Sequence, residues 1–141
     1  MAAATYAPRE ISVTVAGTPI TGFAEDTFVS VERNSDAFTL KAGADGGISR
    51  THSADRSGMI TLTLKQTSTS NEVLSALQLA DELTLSAKFP VAVRDSNGTS
   101  LHFGADAWIQ KVANAEYASD EGDREWVIGV ADLSSFVGSN S

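Results

Sequence analysis

At 141 residues, with 42% apolar and 20% charged side chains, the chain has the size and balance of a single domain, 1–141, able to bury a core. Eighteen acids against ten bases leave a net charge of −8, which disfavours tight nucleic-acid binding because that affinity comes largely from lysine and arginine displacing counterions. The absence of cysteine excludes disulfides, thiolate nucleophiles and cysteine-ligated zinc, and no stretch approaches the ~20 apolar residues of a membrane helix.

The opening, MAAATYAPRE, lacks a basic segment followed by an apolar run, so no secretory signal is read there. The expectation is a protein made and used in a cytoplasm, or one that leaves it by another route. In REISVTVAG, Ile11, Val13 and Val15 alternate with Ser12 and Thr14, the period-2 pattern of a half-buried strand. TFVSVER repeats it with Val29 and Val31, and AFTLKAG with Phe38 and Leu40. Residues 42–57 then read as a long, glycine-rich, charged connection without structure of its own. Connections longer than ~12–15 residues without secondary structure are uncommon and usually serve binding or are disordered.

GMITLTLKQ alternates most clearly, with Ile60, Leu62 and Leu64 on one side and Thr61, Thr63 and Lys65 on the other. The next segment, TSNEVLSALQLADEL, changes period. Thr69 and Glu72 have capping-box spacing, and Val73, Leu74, Leu77 and Ala80 form one helical stripe, which predicts a helix over about residues 70–82. FPVAVRDSNGTSLHFGADAWIQKV places Asn97-Gly98 between two strands, the signal of a tight hairpin turn with positive φ. AEYASDEGDREWVIGVADL predicts a last hairpin, with an acidic turn and Trp126, Ile128 and Val130 on one face of its closing strand. The fold class is therefore mainly β: an antiparallel domain with one flanking α-helix.

Catalytic constellations do not assemble. His52, Ser53 and Asp55 supply triad residue types, but sequence neighbours rarely align through the two hydrogen bonds a triad needs, and G-x-S-x-G is missing. GADGG precedes a strand where a phosphate loop would open a helix. His52 and His102 lack zinc spacing, and Asp120, Glu121, Asp123 and Glu125 lack the calcium-loop order. Trp108 and Trp126 read as core or interface anchors. No catalytic, cofactor-binding or metal-binding residue is assigned. The mixed charge of Asp45, Arg50, His52, Asp55 and Arg56 suits an arm that touches a protein of its own kind.

The order of these segments resembles the tail tube proteins of contractile-tailed bacteriophages, from about Ile11 to Leu133. The likeness is carried by Gly43-Ala44-Asp45-Gly46, by His52 ahead of the strand at Gly58, by TLTLKQTSTSNEVL at 61–74, by the Asn-Gly hairpin and by the closing REWVIGVADL. The resemblance implies a tail-tube-like β-sandwich or barrel flanked by one helix, with no enzyme activity and no cofactor. It implies hexameric rings stacked into a hollow conduit for DNA ejection, inside a contractile sheath. The implied partners are further copies of the chain, the tail sheath protein, baseplate and tail terminator proteins, a tape measure protein in the lumen, and genomic DNA in passage. The implied location is the virion tail, after assembly in the bacterial host cytoplasm. Residues 42–57 would be the inter-subunit loop, and Glu32, Glu116 and Glu125, on strand-like segments, are the candidates for acids facing the bore. Tubes of type VI secretion systems and contractile bacteriocins are the alternative reading. A virion decoration protein, a small hydrolase or a ligand-binding β domain are more distant ones.

Overall fold

Strict alternation decides where the main sheet turns its apolar face. In the computed structural model, which describes residues 3–25 and 28–140, the strand Gly58–Lys65 (β6 in chain order) buries Ile60, Leu62 and Leu64 completely, while Met59, Thr61 and Thr63 lie on the opposite face. The other strands are β1 (Ile11–Val15), β2 (Thr18–Pro19), β3 (Val29–Arg33), β4 (Phe38–Ala42), β5 (Ile48–His52), β7 (Phe89–Asp95), β8 (Leu101–Lys111), β9 (Asp123–Val130) and β10 (Ser134–Phe136), with one helix, α1 (Ser70–Thr84). Thr27, within the predicted strand TFVSVER, lies outside the described residues.

Eight strands form one antiparallel sheet in the order β2-β1-β7-β8-β9-β6-β3, with β10 beside the first half of β8. Val13 and Val15 near one margin and Ile60 and Leu62 near the other belong to the same buried cluster, against which Val29 and Val31 of β3 also pack. The sheet therefore curls around its own core. Between β3 and the ends of β1, β7 and β8 the curl leaves an open groove of about 790 Å³. On the outer face, Trp108 lies over Gly129, where an added Cβ would stand 2.8 Å from the indole.

The mainly antiparallel architecture with a single helix is the one read from the sequence, and several local features differ. The helix runs two residues further than predicted, and its capping box is not made: Thr69 is helical in conformation, and Ser68 Oγ accepts the Ser70 N–H at 3.2 Å. Ser70, buried, uses its hydroxyl instead to accept the Thr21 N–H at 2.9 Å. Trp126 Nε1 donates to Asn71 Oδ1 at 2.9 Å, tying the helix to β9. Of the predicted stripe only Leu74 is fully buried; Ala80 is exposed, as are Leu79 and Leu83 on another side.

The turn at Asn97-Gly98 also differs. Neither residue has positive φ, and β7 and β8 are joined by residues 96–100 around Asp95, whose Oδ1 accepts the Asn97 N–H at 3.0 Å. The predicted last hairpin is opened by an irregular connection, 112–122, between β8 and β9.

Leu74→Ala should lower unfolding free energy by about 2–5 kcal/mol, the range for emptying a buried leucine site, whereas Leu83→Ala should stay within about 0.5 kcal/mol. Urea denaturation of the monomer measures both, and equal costs would contradict the packing described.

Candidate assembly surface

Residues 42–57, expected to be a structureless loop, contribute β5, the second strand of a separate two-stranded sheet. Its strands β4 and β5 pair antiparallel, Phe38 opposite His52, Leu40 opposite Arg50 and Ala42 opposite Ile48. Residues opposite one another share a face, and faces alternate along a strand. Phe38, Leu40, Ala42, Ile48, Arg50 and His52 therefore lie on one side, and Thr39, Lys41, Ser49 and Thr51 on the other. Every residue of both strands is exposed; Leu40 and Ile48 retain 71% and 70% of their accessible surface. The apolar side of AFTLKAG, expected to be half-buried, is bare because no other strand or helix packs extensively against this hairpin.

Side chains suggested by the sequence build this hairpin. Asp45 Oδ1 accepts the Gly47 N–H at 3.0 Å in the turn, where Gly46 takes φ +85°. Arg50 sets its guanidinium 4.5 Å from the centre of the Phe38 ring, and His52 stacks at a tilt on that ring at 5.1 Å. Ser53 Oγ accepts the Asp55 N–H at 3.2 Å, so His52, Ser53 and Asp55 serve separate local contacts.

At the base, Asp55 clamps the two legs together. It accepts Ser35 Oγ at 2.6 Å, Ser57 Oγ at 2.6 Å and the Ser57 N–H at 3.0 Å. These donors, the Ser35 hydroxyl foremost, stabilise the carboxylate and hold its pKa down at about 2. Arg56 Nε pairs with Asp132 at 2.8 Å, the Leu133 N–H donates to Arg56 O at 2.8 Å, and Arg33 donates from Nε and Nη2 to Leu133 O at 3.2 and 2.9 Å. Leu133 itself is buried in the core. The hairpin thus has a fixed root and an uncovered face.

The acidic candidates separate. Glu32 on β3 lies opposite Met59 and Glu125 on β9 opposite Thr63, and Met59 and Thr63 share the face of β6 turned away from the core. Both glutamates are exposed there. Glu116 is not on a strand: it sits in the 112–122 connection, where its carbonyl accepts Arg124 Nη2 at 3.2 Å. Among the described residues no group of three or more histidine, aspartate or glutamate side chains is placed to hold a metal ion. The feature that sequence reasoning missed is the joint face of Phe38, Leu40 and Ile48. Its signal was the alternation in AFTLKAG continued by Ile48 and Arg50 after a five-residue glycine turn.

Residues 3–138 match the family described as "Bacteriophage PhiTE tail tube protein". The chain is similar to "Structural protein ORF10" of Pseudomonas phage KPP10, 34% identical over 144 residues that cover 96% of this chain and 83% of that protein. Among solved structures it resembles the sheath/tube terminator of the PVC extracellular contractile injection system in its extended state, with TM-score 0.69, 15% identity and coverage of 94% of this chain and 97% of that one. It also resembles a chain of the PVC sheath-tube complex, with TM-score 0.65, 13% identity and coverage of 97% and 93%. At these identities the two structures speak to the fold.

The Asp55 clamp has a pH signature. A carboxyl with a depressed folded pKa contributes fully above its ordinary 3.8 and loses that contribution as pH falls through about 2. Carbon-detected NMR titration should find the Asp55 midpoint near 2, rising towards 3.8 in Ser35→Ala/Ser57→Ala. A midpoint at or above 3.8 in the unsubstituted protein would refute the clamp.

Proposed function

The chain belongs to the bacteriophage PhiTE tail tube protein family, and from that premise we propose that it is the repeating subunit of a tail tube, closing into hexameric rings that stack into the conduit for DNA ejection inside a contractile sheath. The observation that carries this reading is the rooted β4–β5 hairpin with its bare apolar face. A two-stranded hairpin is marginal in water by itself, and one with three large apolar side chains exposed calls for a covering surface. Residues 42–57 are then the inter-subunit arm of a single domain. Asp45 and Asp55 shape the arm, Arg56 roots it, and Arg50 and His52 flank its contact face.

Closure follows from geometry. A head-to-tail contact repeated by a rotation of one sixth of a turn makes a ring, and a second contact along the axis repeats without closing and makes a tube. The face of β3, β6 and β9 that bears Glu32 and Glu125 is proposed as bore lining. Fixed negative charge there repels phosphate, so DNA slides without adhering. Screening confines the effect to about 8 Å at physiological salt, which suffices for a duplex held close to a channel wall.

The sheath protein would surround the rings and a terminator protein would cap them, by analogy with the injection-system assemblies named above. A baseplate protein and a tape measure protein complete the expected partners, and assembly takes place in the bacterial host cytoplasm before the tube becomes part of the virion. The family match and the phage KPP10 relative favour a phage tail over a secretion tube.

Purified protein should form rings or tubes with six subunits per layer by cryo-electron microscopy. Leu40→Asp and Ile48→Asp should each leave the circular dichroism spectrum and monomer stability unchanged and abolish tubes. Normal tubes from both variants would remove the hairpin from the assembly. Glu32→Lys/Glu125→Lys should still form tubes but slow DNA release from reconstituted virions several-fold; release at the normal rate would reject an acidic bore.

A further inference from the structure

The open groove beside β3 is left unfilled by the described residues. Phe28 and Val31 line one side, and Ile11 and Val93 the other. Its volume, about 790 Å³, lies within the ~300–1,000 Å³ of clefts that enclose a sizeable apolar guest. One formally charged side chain lines it among the described residues, Asp95, which is only 8% exposed. Asp95 accepts from the Asn97 N–H and from the Asn140 amide, both neutral groups, and no lysine or arginine pairs with it among the described residues. A carboxylate removed from water is costly until a cation answers it.

The β4–β5 hairpin offers the complementary set. Its exposed face carries Phe38, Leu40 and Ile48, with Arg50 beside them. The hairpin strands and turn hold Lys41 and Arg50 against Asp45, a basic island on a chain of net charge −8. Asp45 is engaged within the turn by the Gly47 N–H. His102, also lining the groove, has its pKa lowered by burial and stays neutral near pH 7, so it sets no positive charge against an incoming arginine.

We propose that this groove is the receptor for the apolar face of the β4–β5 hairpin of a second copy, with Arg50 of the incoming copy answering Asp95. The inference rests on the self-assembly reading above and adds the surface that receives the arm. The groove sets the apolar Ile11, Phe28, Val31 and Val93 beside the anionic Asp95, and the hairpin sets Phe38, Leu40 and Ile48 beside the cationic Arg50.

The absence of cysteine permits a direct test. Leu40→Cys carrying a benzophenone maleimide is assembled together with isotopically heavy, unsubstituted protein, irradiated and digested. The expected adducts join residue 40 of one copy to heavy peptides containing Ile11, Phe28, Val31 or Val93. Adducts confined to other surfaces of tubes that have formed, or to the labelled copy's own groove, overturn the receptor and leave assembly intact. Failure of the unsubstituted protein to form any oligomer overturns the assembly reading and this inference with it. If the probe itself blocks assembly, carbene footprinting of unsubstituted tubes decides. Labelling of Ile11, Phe28 and Val31 should fall several-fold relative to the monomer, and unchanged labelling overturns the proposal.

Discussion

Phe38, Leu40 and Ile48 stand on a two-stranded ladder that the other described residues leave uncovered, and water opposes that exposure at about 1.5–3 kcal/mol for each side chain that full burial would relieve. Each is already partly shielded, so covering the face is worth several kcal/mol per copy. The polar contacts near it are weaker by comparison. The Arg56–Asp132 pair is half to two-thirds exposed, a setting in which ion pairs contribute about 0–1 kcal/mol. Apolar burial between copies is therefore the largest stabilisation open to this segment, and the polar network at its base serves to aim it. Asp55, Arg56 and Arg33 fix the root against the buried Leu133, so association orders fewer loosely held residues than it would with a flexible loop.

The division of labour within the fold follows from the same constraint. Ile60, Leu62, Leu64, Trp126 and Ile128 make a core that stands without the hairpin. The helix is held by the buried Leu74 with Leu77 beside it, by the Thr21–Ser70 hydrogen bond and by the Trp126–Asn71 hydrogen bond, leaving Leu79 and Leu83 in solvent. None of Phe38, Leu40 and Ile48 belongs to that buried cluster, so the core and the bare apolar face are separate sets of side chains.

Legibility in the sequence tracked burial. β1, β6, β7 and β9 each bury one face, so Val13 and Val15, or Ile60, Leu62 and Leu64, alternate with polar residues and announce the strand. β5 buries neither face within the chain; Ile48-Ser49-Arg50-Thr51-His52 has a single aliphatic residue and reads as loop, although its backbone is paired throughout. Phe38 and Leu40 were legible as a strand, but their exposure was not, because an apolar face left bare has the same alternation as one that is buried. The helix start was legible in place but not in chemistry, since Ser68 and Ser70 took roles that the spacing of Thr69 and Glu72 suggested for themselves. Glu116 was misplaced because AEYAS looks extended and is an irregular connection. Asp55 was visible as a polar residue among serines; its clamp became visible only when residues 35 and 57 met across the hairpin base.

Charge explains why such a subunit would join in one orientation. Copies of net charge −8 repel one another at most mutual orientations, so a random apolar encounter gains little. The hairpin reverses the local sign with Lys41 and Arg50, and it does so on the element that carries the bare apolar face. Approach of that element to an acidic neighbour is the encounter in which electrostatic attraction and apolar burial would act together, and with different giving and receiving surfaces the proposed contact would be head-to-tail. A symmetric pairing of two hairpins would bury the same apolar side chains but bring two Arg50 cations into one interface. Like charges close together disfavour that alternative, which would end growth at a dimer. In the proposed assembly, the one cation among three apolar residues would disfavour pairing off and favour continued head-to-tail growth.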